Sequence, residues 1–271
     1  MTITLRREEP SDHRVVELLT REAFWGMTQP RCDEHLLVHR LREADSFVPE
    51  LDVVAEDDGV VVGHVIYSRA RVVGEGGASQ VLTFGPLSVL PDRQGTGVGA
   101  ALMRHTLAEA ARLGHRAVVV YGHPDYYPRL GFVRGADVGI TAPGGATFDA
   151  LMALALVGDG LTGVRGEFHE DDAYRLDPDE VAAFDRTFPE KESATLTPLD
   201  ALVGHVPAAV IDALRARGFE TVELVRLNSS AEIAALDGVG DAGSAALRCF
   251  LQERGHPWGS APDEAGAAAS V

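Results

Sequence analysis

Lysine is almost absent. Lys191 is the only one, so arginine carries nearly all of the positive charge, and the formal net charge is −17. That balance argues against nonspecific binding to DNA or to an anionic membrane, because both need a cationic surface. It also removes the phosphate-binding loop that ends in Gly-Lys-Ser/Thr. Cysteine is scarce too. Cys32 and Cys249 lie far apart in the chain and offer no metal-ligand spacing, so each reads as a buried free thiol and no metal site is expected. The first ten residues, MTITLRREEP, lack the apolar core of a signal peptide. The longest apolar run, Ala150 to Gly158, is too short to cross a bilayer. A cytoplasmic protein without a membrane partner is the expectation. No internal repeat is visible.

What is present suits a soluble fold with a sizeable core. The 271 residues are 45% hydrophobic, enough for one large domain or two small ones. TITLRRE reads as a strand. Pro10-Ser11 then opens a helix through DHRVVELLTREAF, with Ser11 as N-cap and Val15, Leu18, Leu19 and Ala23 on one face. DEHLLVHRLREA is a second helix. Two β-branched runs flank Asp57-Asp58-Gly59, a hairpin signal. SQVLTFGPLSVL is a strand interrupted by Gly85-Pro86, which implies an edge, a bulge or a splay. GAALMRHTLAEAARLG is an amphipathic helix stopped by Gly114. RAVVVYG, DALMALALV and VRGEFH are further strands. The composition then turns acidic. We expect a main domain over 1–175, an acidic linker over 176–195, a small all-α unit over 196–256, and a disordered tail over 257–271.

The stretch RQGTGVGAAL, Arg93 to Leu102, fits two phosphate-binding patterns at once. Gly95, Gly97 and Ala100 satisfy G-x-G-x-x-G/A, the dinucleotide fingerprint. That site wants its first glycine directly after a strand, and an acidic residue about 20 positions on for a ribose hydroxyl. Here PDRQ intervenes, and the next strand, AVVVYGHP, ends without a carboxylate. Gln94, Gly97 and Gly99 satisfy the other pattern, Q-x-x-G-x-G. It suits a pyrophosphate held by backbone N–H groups at the start of a helix, where the helix dipole helps. An acidic protein can hold a polyanion in this way without lysines.

The segment LTFGPLSVLPDRQGTGVGAALM resembles the GNAT family of acetyl-CoA-dependent N-acetyltransferases. YYPRLGF downstream matches the family's Y-x-x-x-G-F, with Tyr127, Gly131 and Phe132 in register. The resemblance covers about residues 1 to 175. It implies an α/β (α+β) fold with a mixed, mostly antiparallel sheet flanked by helices, and acetyl-CoA as co-substrate. By the same resemblance Gln94, Gly95, Thr96, Gly97, Val98, Gly99 and Ala100 would cradle the pyrophosphate. Leu87, Ser88 and Val89 would lie along the pantetheine arm, with the Leu87 or Val89 N–H facing the thioester carbonyl. Tyr127 would be the acid for the departing thiolate, since its ordinary pKa near 10 roughly matches a thiol's. Tyr126 reads as packing. No base is evident. His123 reads as a turn residue, with a proton relay through water as its other role, and Glu22, His64 and Glu167 have no assignable place.

LDGVGDAGSAALRCFLQERG carries the h-x-G-h-G turn of a helix–hairpin–helix at Leu236, Gly238, Val239 and Gly240. The whole segment resembles the C-terminal domain of the bacterial RNA polymerase α subunit. It departs where that domain contacts DNA, with Asp241 and Ala242 after the hairpin glycine and Ala209 in place of an arginine. Between Asp177 and Ser260 there are 7 basic and 14 acidic residues. Phosphate neutralisation drives DNA affinity, so nucleic acid is not the expected partner and a structural or protein-contact role is. The sequence therefore reads as an N-acetyltransferase acting on a primary amine of a small molecule or peptide by direct transfer in a ternary complex. The alternative is a catalytically weak acyl-CoA-binding adaptor whose helical unit makes protein contacts. The acceptor, the base and the oligomeric state stay open.

Overall fold

The structure, a computed structural model, describes residues 3–254. The expected disordered tail lies outside the described residues. In chain order the elements are β1 (Ile3–Arg7), α1 (His13–Phe24), α2 (Glu34–Leu41), β2 (Val53–Asp57), β3 (Val60–Gly74), β4 (Gly77–Val89), α3 (Val98–Arg112) and β5 (Ala117–Tyr121). Then follow β6 (Val133–Arg134), β7 (Ile140–Thr141), β8 (Leu151–Ala155), β9 (Gly166–His169), α4 (Pro178–Asp185), α5 (Ala208–Ala216), α6 (Val222–Val225), α7 (Ser230–Ala234) and α8 (Gly240–Glu253). The strands join in one sheet of order β1-β2-β3-β4-β5-β8-β6, with β9 on β3 and β7 on β9. Among the described strands only β4 with β5 and β7 with β9 run parallel. The expected mixed, mostly antiparallel sheet is therefore observed.

The β2–β3 hairpin turns at Asp58 and Gly59, both at positive φ (51° and 80°), the geometry that a two-residue turn between twisted strands requires. Alternation along the strands then divides the core between the two faces of the sheet. On one face α3 places Val98, Leu102 and Met103 against Leu82, Phe84, Leu87, Val118 and Val120. On the other, α1 and α2 pack Val16, Leu19, Val38 and Leu41 against Val54, Val61 and Ile66. Also on that second face, the ends of β3 and β4 curl with β5, β8 and β9 around Val72, Val119, Ile140 and Phe168.

Helix α1 corrects two expectations. Val15 and Leu18 are 48% and 39% exposed, whereas Val16, Glu17, Thr20 and Arg21 face inward. The apolar count missed this because the buried face is partly polar and fully partnered. Arg42 and His39 bind Glu17, Ser88 binds Thr20, and Asp185 binds Arg21. The N-cap position is Asp12, not Ser11. The Asp12 carboxylate is held by Arg6 at 2.6 and 2.9 Å and by the Glu9 N–H, which fixes where the helix starts. The cysteines divide. Cys32 is buried, but Cys249 is exposed because Leu247, Phe250 and Leu251 take the inner face of α8.

The acidic stretch expected as a linker folds back over α1 and α2. Asp177 caps α4 by accepting the Asp179 and Glu180 N–H groups. Asp185 accepts from Arg21 Nε at 2.6 Å and from Arg31 at 3.2 Å. Trp25 donates to the Glu192 carbonyl, and Ala194 donates to that of Pro30. Beyond it, α5 to α8 enclose their own core of Leu202, Val210, Leu214, Val225, Ile233, Leu247 and Phe250.

Removing one partner of a buried ion pair leaves the other charge uncompensated. Asp185→Ala should therefore lower the unfolding free energy by about 3 kcal/mol in a urea titration. An unchanged midpoint would mean that 176–195 is a loose connector after all.

Candidate active site

The site begins where two parallel strands part. β4 and β5 keep register only at Leu82↔Val118, and beyond that pair they diverge. Gly85-Pro86 lies at the divergence, opposite a register shift between Val65 and Tyr67 of β3. Past the shift the ladder resumes with Val65↔Leu87, His64↔Ser88 and Gly63↔Val89. Leu90 N–H bonds the Val62 carbonyl. Antiparallel pairs alternate between hydrogen-bonded and open. Ser88 therefore spends its backbone groups on His64, while those of Leu87 and Val89 face away from β3 into the gap. The Gln94 amide donates to one of them, the Val89 carbonyl, at 3.2 Å and ties the next loop to the strand.

That loop delivers the helix end. Gly97 stands before α3 at φ 90°, a conformation open to glycine but strained for valine or other branched residues, and a Cβ there would project into empty space. The first bond of α3 runs from Ala101 to the Gly97 carbonyl. The N–H groups of Val98, Gly99 and Ala100 thus have no backbone acceptor, and the first turn carries no acidic side chain. Thr96 turns its hydroxyl back to the Arg93 carbonyl at 2.7 Å. The 15-residue helix adds its dipole to this end. Gap and helix end adjoin each other, which is the geometry needed to hold an extended ligand with an anionic head.

Tyr127 closes the gap on the α3 face. Its ring packs on Phe84, Phe132 and Tyr126, and it is 4% exposed. A Cβ on Gly122 would lie 2.2 Å from the ring, so only glycine permits this approach. Burial pushes the Tyr127 hydroxyl well above the ordinary tyrosine value. It stays protonated at neutral pH, so its O–H remains available as a donor. Tyr126 packs beside it, under the Arg129 guanidinium.

His123 is committed elsewhere. A carbonyl can only accept, so Nε2–H donates to the Arg226 carbonyl at 2.9 Å, while Nδ1 accepts the Asp125 N–H at 3.2 Å. Both ring nitrogens are occupied, the imidazole is neutral, and no lone pair remains for a relay. The bond reaches α6 and pins the C-terminal helices beside the tyrosines. Asp149 adds a second pin, accepting from Ser229 Oγ at 2.9 Å and donating its N–H to Glu232 at 2.7 Å. The other unplaced groups also have partners. Glu22 takes Lys191, and Glu167 accepts the Gly144 N–H. His64 donates to Asp52 at 2.7 Å, and burial holds its pKa down at about 4. Glu8, Asp52 and His64 are a donor set that could suit a cation, but Arg42 already binds Glu8 through two nitrogens.

Burial lowers the pKa of His123. The folded ring thus binds its proton less readily than the unfolded one. Its contribution is fully present above about pH 6.5 and is lost as the pH falls through the lower folded value. Hydrogen exchange in 222–234, corrected for intrinsic rates, should accelerate below pH 6.5. Protection that stays flat from pH 7 to pH 5 would contradict this.

Residues 13–133 match the acetyltransferase (GNAT) family. The uncharacterized N-acetyltransferase YhbS of Escherichia coli is 33% identical over 168 residues, 61% of this chain and 96% of that protein. YjhQ of the same organism, also an uncharacterized N-acetyltransferase, is 40% identical over 108 residues, and the chain spans only 60% of its length. The crystal structure of YhbS in complex with CoA superposes with a TM-score of 0.56 at 28% identity, covering 64% of this chain and 92% of that one. A GNAT family acetyltransferase from Brucella melitensis in complex with acetyl-CoA gives 0.53 at 29%, covering 64% and 98%. With YhbS matched over nearly its whole length, the chain belongs to the GNAT family of acetyltransferases.

Proposed function

We propose that the protein transfers the acetyl group of acetyl-CoA to a primary amine of a small molecule or peptide, directly, in a ternary complex. The observation that carries this reading is the β4–β5 gap, into which the backbone of Leu87 and the Val89 N–H face unspent, beside a bare helix end. The pyrophosphate would rest on Gln94 to Ala100, and the pantetheine amides would pair with Leu87 and Val89 past Ser88. The thioester would then lie in the gap beside Tyr127. CoA and acetyl-CoA in the two related crystal structures support this choice of co-substrate.

The amine nitrogen attacks the thioester carbon, the C–N bond forms, and the C–S bond breaks. A backbone N–H in the gap stabilises the oxyanion, and the Tyr127 hydroxyl faces the departing thiolate. Held above the thiol's own pKa, Tyr127 stabilises the thiolate by donating a hydrogen bond rather than by giving up its proton early. We read α5 to α8 as a helix–hairpin–helix unit that serves as a structural and protein-contact module. Its excess of acidic residues and its docking through His123 and Asp149 support that role over nucleic-acid binding.

A thiol-release assay with acetyl-CoA over polyamines, amino sugars, amino acids and peptide N-termini tests the reading. Amine-dependent release is the expected result. Binding of acetyl-CoA without release on any amine would favour the adaptor reading. Tyr127→Phe should lower kcat about 100-fold with little change in acetyl-CoA affinity. Gly97→Val should abolish that affinity in calorimetry while the circular dichroism spectrum is retained. Normal turnover in the first variant removes Tyr127 from the reaction, and normal affinity in the second removes the helix end.

A further inference from the structure

The base that the sequence leaves open has a candidate on the opposite face of the gap. Side chains alternate along β5. Val118 and Val120 enter the α3-side core, and Val119 and Tyr121 face the other way. On that other face, Tyr174 binds Ser68 Oγ at 3.1 Å, and Ser68 sits across from Thr83. Thr83 is the first residue of β4 past the last pairing with β5. A cavity of about 170 Å³ lies between Tyr121 and Tyr174, floored by Phe168 and Glu170. It adjoins a second cavity of about 370 Å³, with which it shares His169, Glu170 and Asp171. Tyr121 and Phe168 stand 5.5 Å apart, ring to ring. The cavity is thus an aromatic cup with the carboxylates of Glu170 and Asp171 in its wall, and Tyr174 ties it through Ser68 to the position opposite Thr83, where the gap opens.

Glu170 differs from the other carboxylates near the sheet. Glu8, Asp12, Glu17 and Asp185 are all bound by arginine. Glu170 has no ion pair or hydrogen bond among the described residues. We propose that Glu170 is the general base of the acetyl transfer and that the Tyr121–Tyr174 cavity receives the ammonium group of a primary amine. This rests on the acetyltransferase reading above.

The ammonium group enters against the aromatic faces, which attract cations. Glu170 takes one proton from it, the freed lone pair attacks the thioester carbon in the gap, and CoA leaves as thiolate on the Tyr127 side. The acetylated nitrogen sheds its second proton, which reaches the thiolate through solvent. The products are the amide, the CoA thiol and one proton, which Glu170 holds and then releases to solvent, so atoms and charge balance and the carboxylate is restored. Acid and base stand on opposite faces of the sheet, and the thioester lies between them. Loss of water alone raises the Glu170 pKa to about 7, closer to that of an amine than an ordinary carboxylate is. The charged and titratable groups around it are His169, Asp171, Asp172, Tyr174 and Arg175 on its own segment, Tyr121 from β5, and Arg69 and Arg71 from β3.

The test is Glu170→Gln, which keeps the shape and removes the base. With an accepted amine, kcat should fall about 100-fold or more. The acidic limb of the wild-type kcat/KM profile, with a midpoint near pH 7, should vanish, and acetyl-CoA affinity should hold. A variant that keeps its turnover and that limb overturns the assignment while leaving the acetyltransferase reading intact. Should no amine be acetylated at all, the acetyltransferase reading fails by itself, and the cavity is tested by n-butylamine in an NMR titration. Shifts at Tyr121 and Tyr174 that disappear in Glu170→Gln support the amine site. Their absence in the wild type overturns it.

Discussion

Everything in the site follows from one interruption of a β-ladder. Two parallel strands that stayed paired would spend their backbone groups on each other. Here β4 and β5 share a single pair, Leu82 with Val118, and then separate. The ladder to β3 continues on the far side, so β4 is not loosened by the loss. A rigid strand thereby presents unspent amide groups to a gap, and unspent amides are an affinity for a ligand that carries amides of its own. The glycine loop then delivers a bare helix end close to the same strand, and Gln94 fixes the distance between them. An acidic chain with one lysine can in this way hold a polyanion by backbone alone.

The two faces of the sheet take different tasks. The α3 face is apolar and closes over Tyr127. The α1 face buries charge and pairs it: Arg42 with Glu8 and Glu17, and Arg21 with Asp185, while the neutral His64 donates to Asp52. These pairs anchor α1, α2 and the strap formed by α4 around the acceptor side. Glu170 lies at the end of that region, where β9 leaves the sheet and the pairing stops. The C-terminal helices lean on the site from beside β5, through His123 and Asp149.

The parts legible in the sequence were those whose chemistry is local. Gln94, Gly97 and Gly99 are a backbone conformation written in residue types, and Gly85-Pro86 announces a strand that cannot pair evenly. Asp58-Gly59 is a turn for the same reason. The parts that were not legible depend on partners far along the chain. Val15 and Leu18 read as core because Glu17, Thr20 and Arg21, which displace them, are buried only by virtue of Arg42, Ser88 and Asp185. His123 read as a potential relay because its partner, the Arg226 carbonyl, is about a hundred residues away. Glu170 is not among the residues singled out from the sequence, since its run His169-Glu170-Asp171-Asp172 carries no local motif. Only the curl of β9 onto β3, toward the end of β5, brings Tyr121 beside it.

The central claim is that the gap between β4 and β5 is the seat of acetyl-CoA. Amide-resolved NMR of the protein titrated with acetyl-CoA tests it most directly. Large shifts and slowed exchange are expected at Leu87, Val89 and the Val98 to Ala100 amides, with Ser88, already bonded to β3, protected before and after. Saturable binding that leaves Leu87 and Val89 unmoved would contradict it.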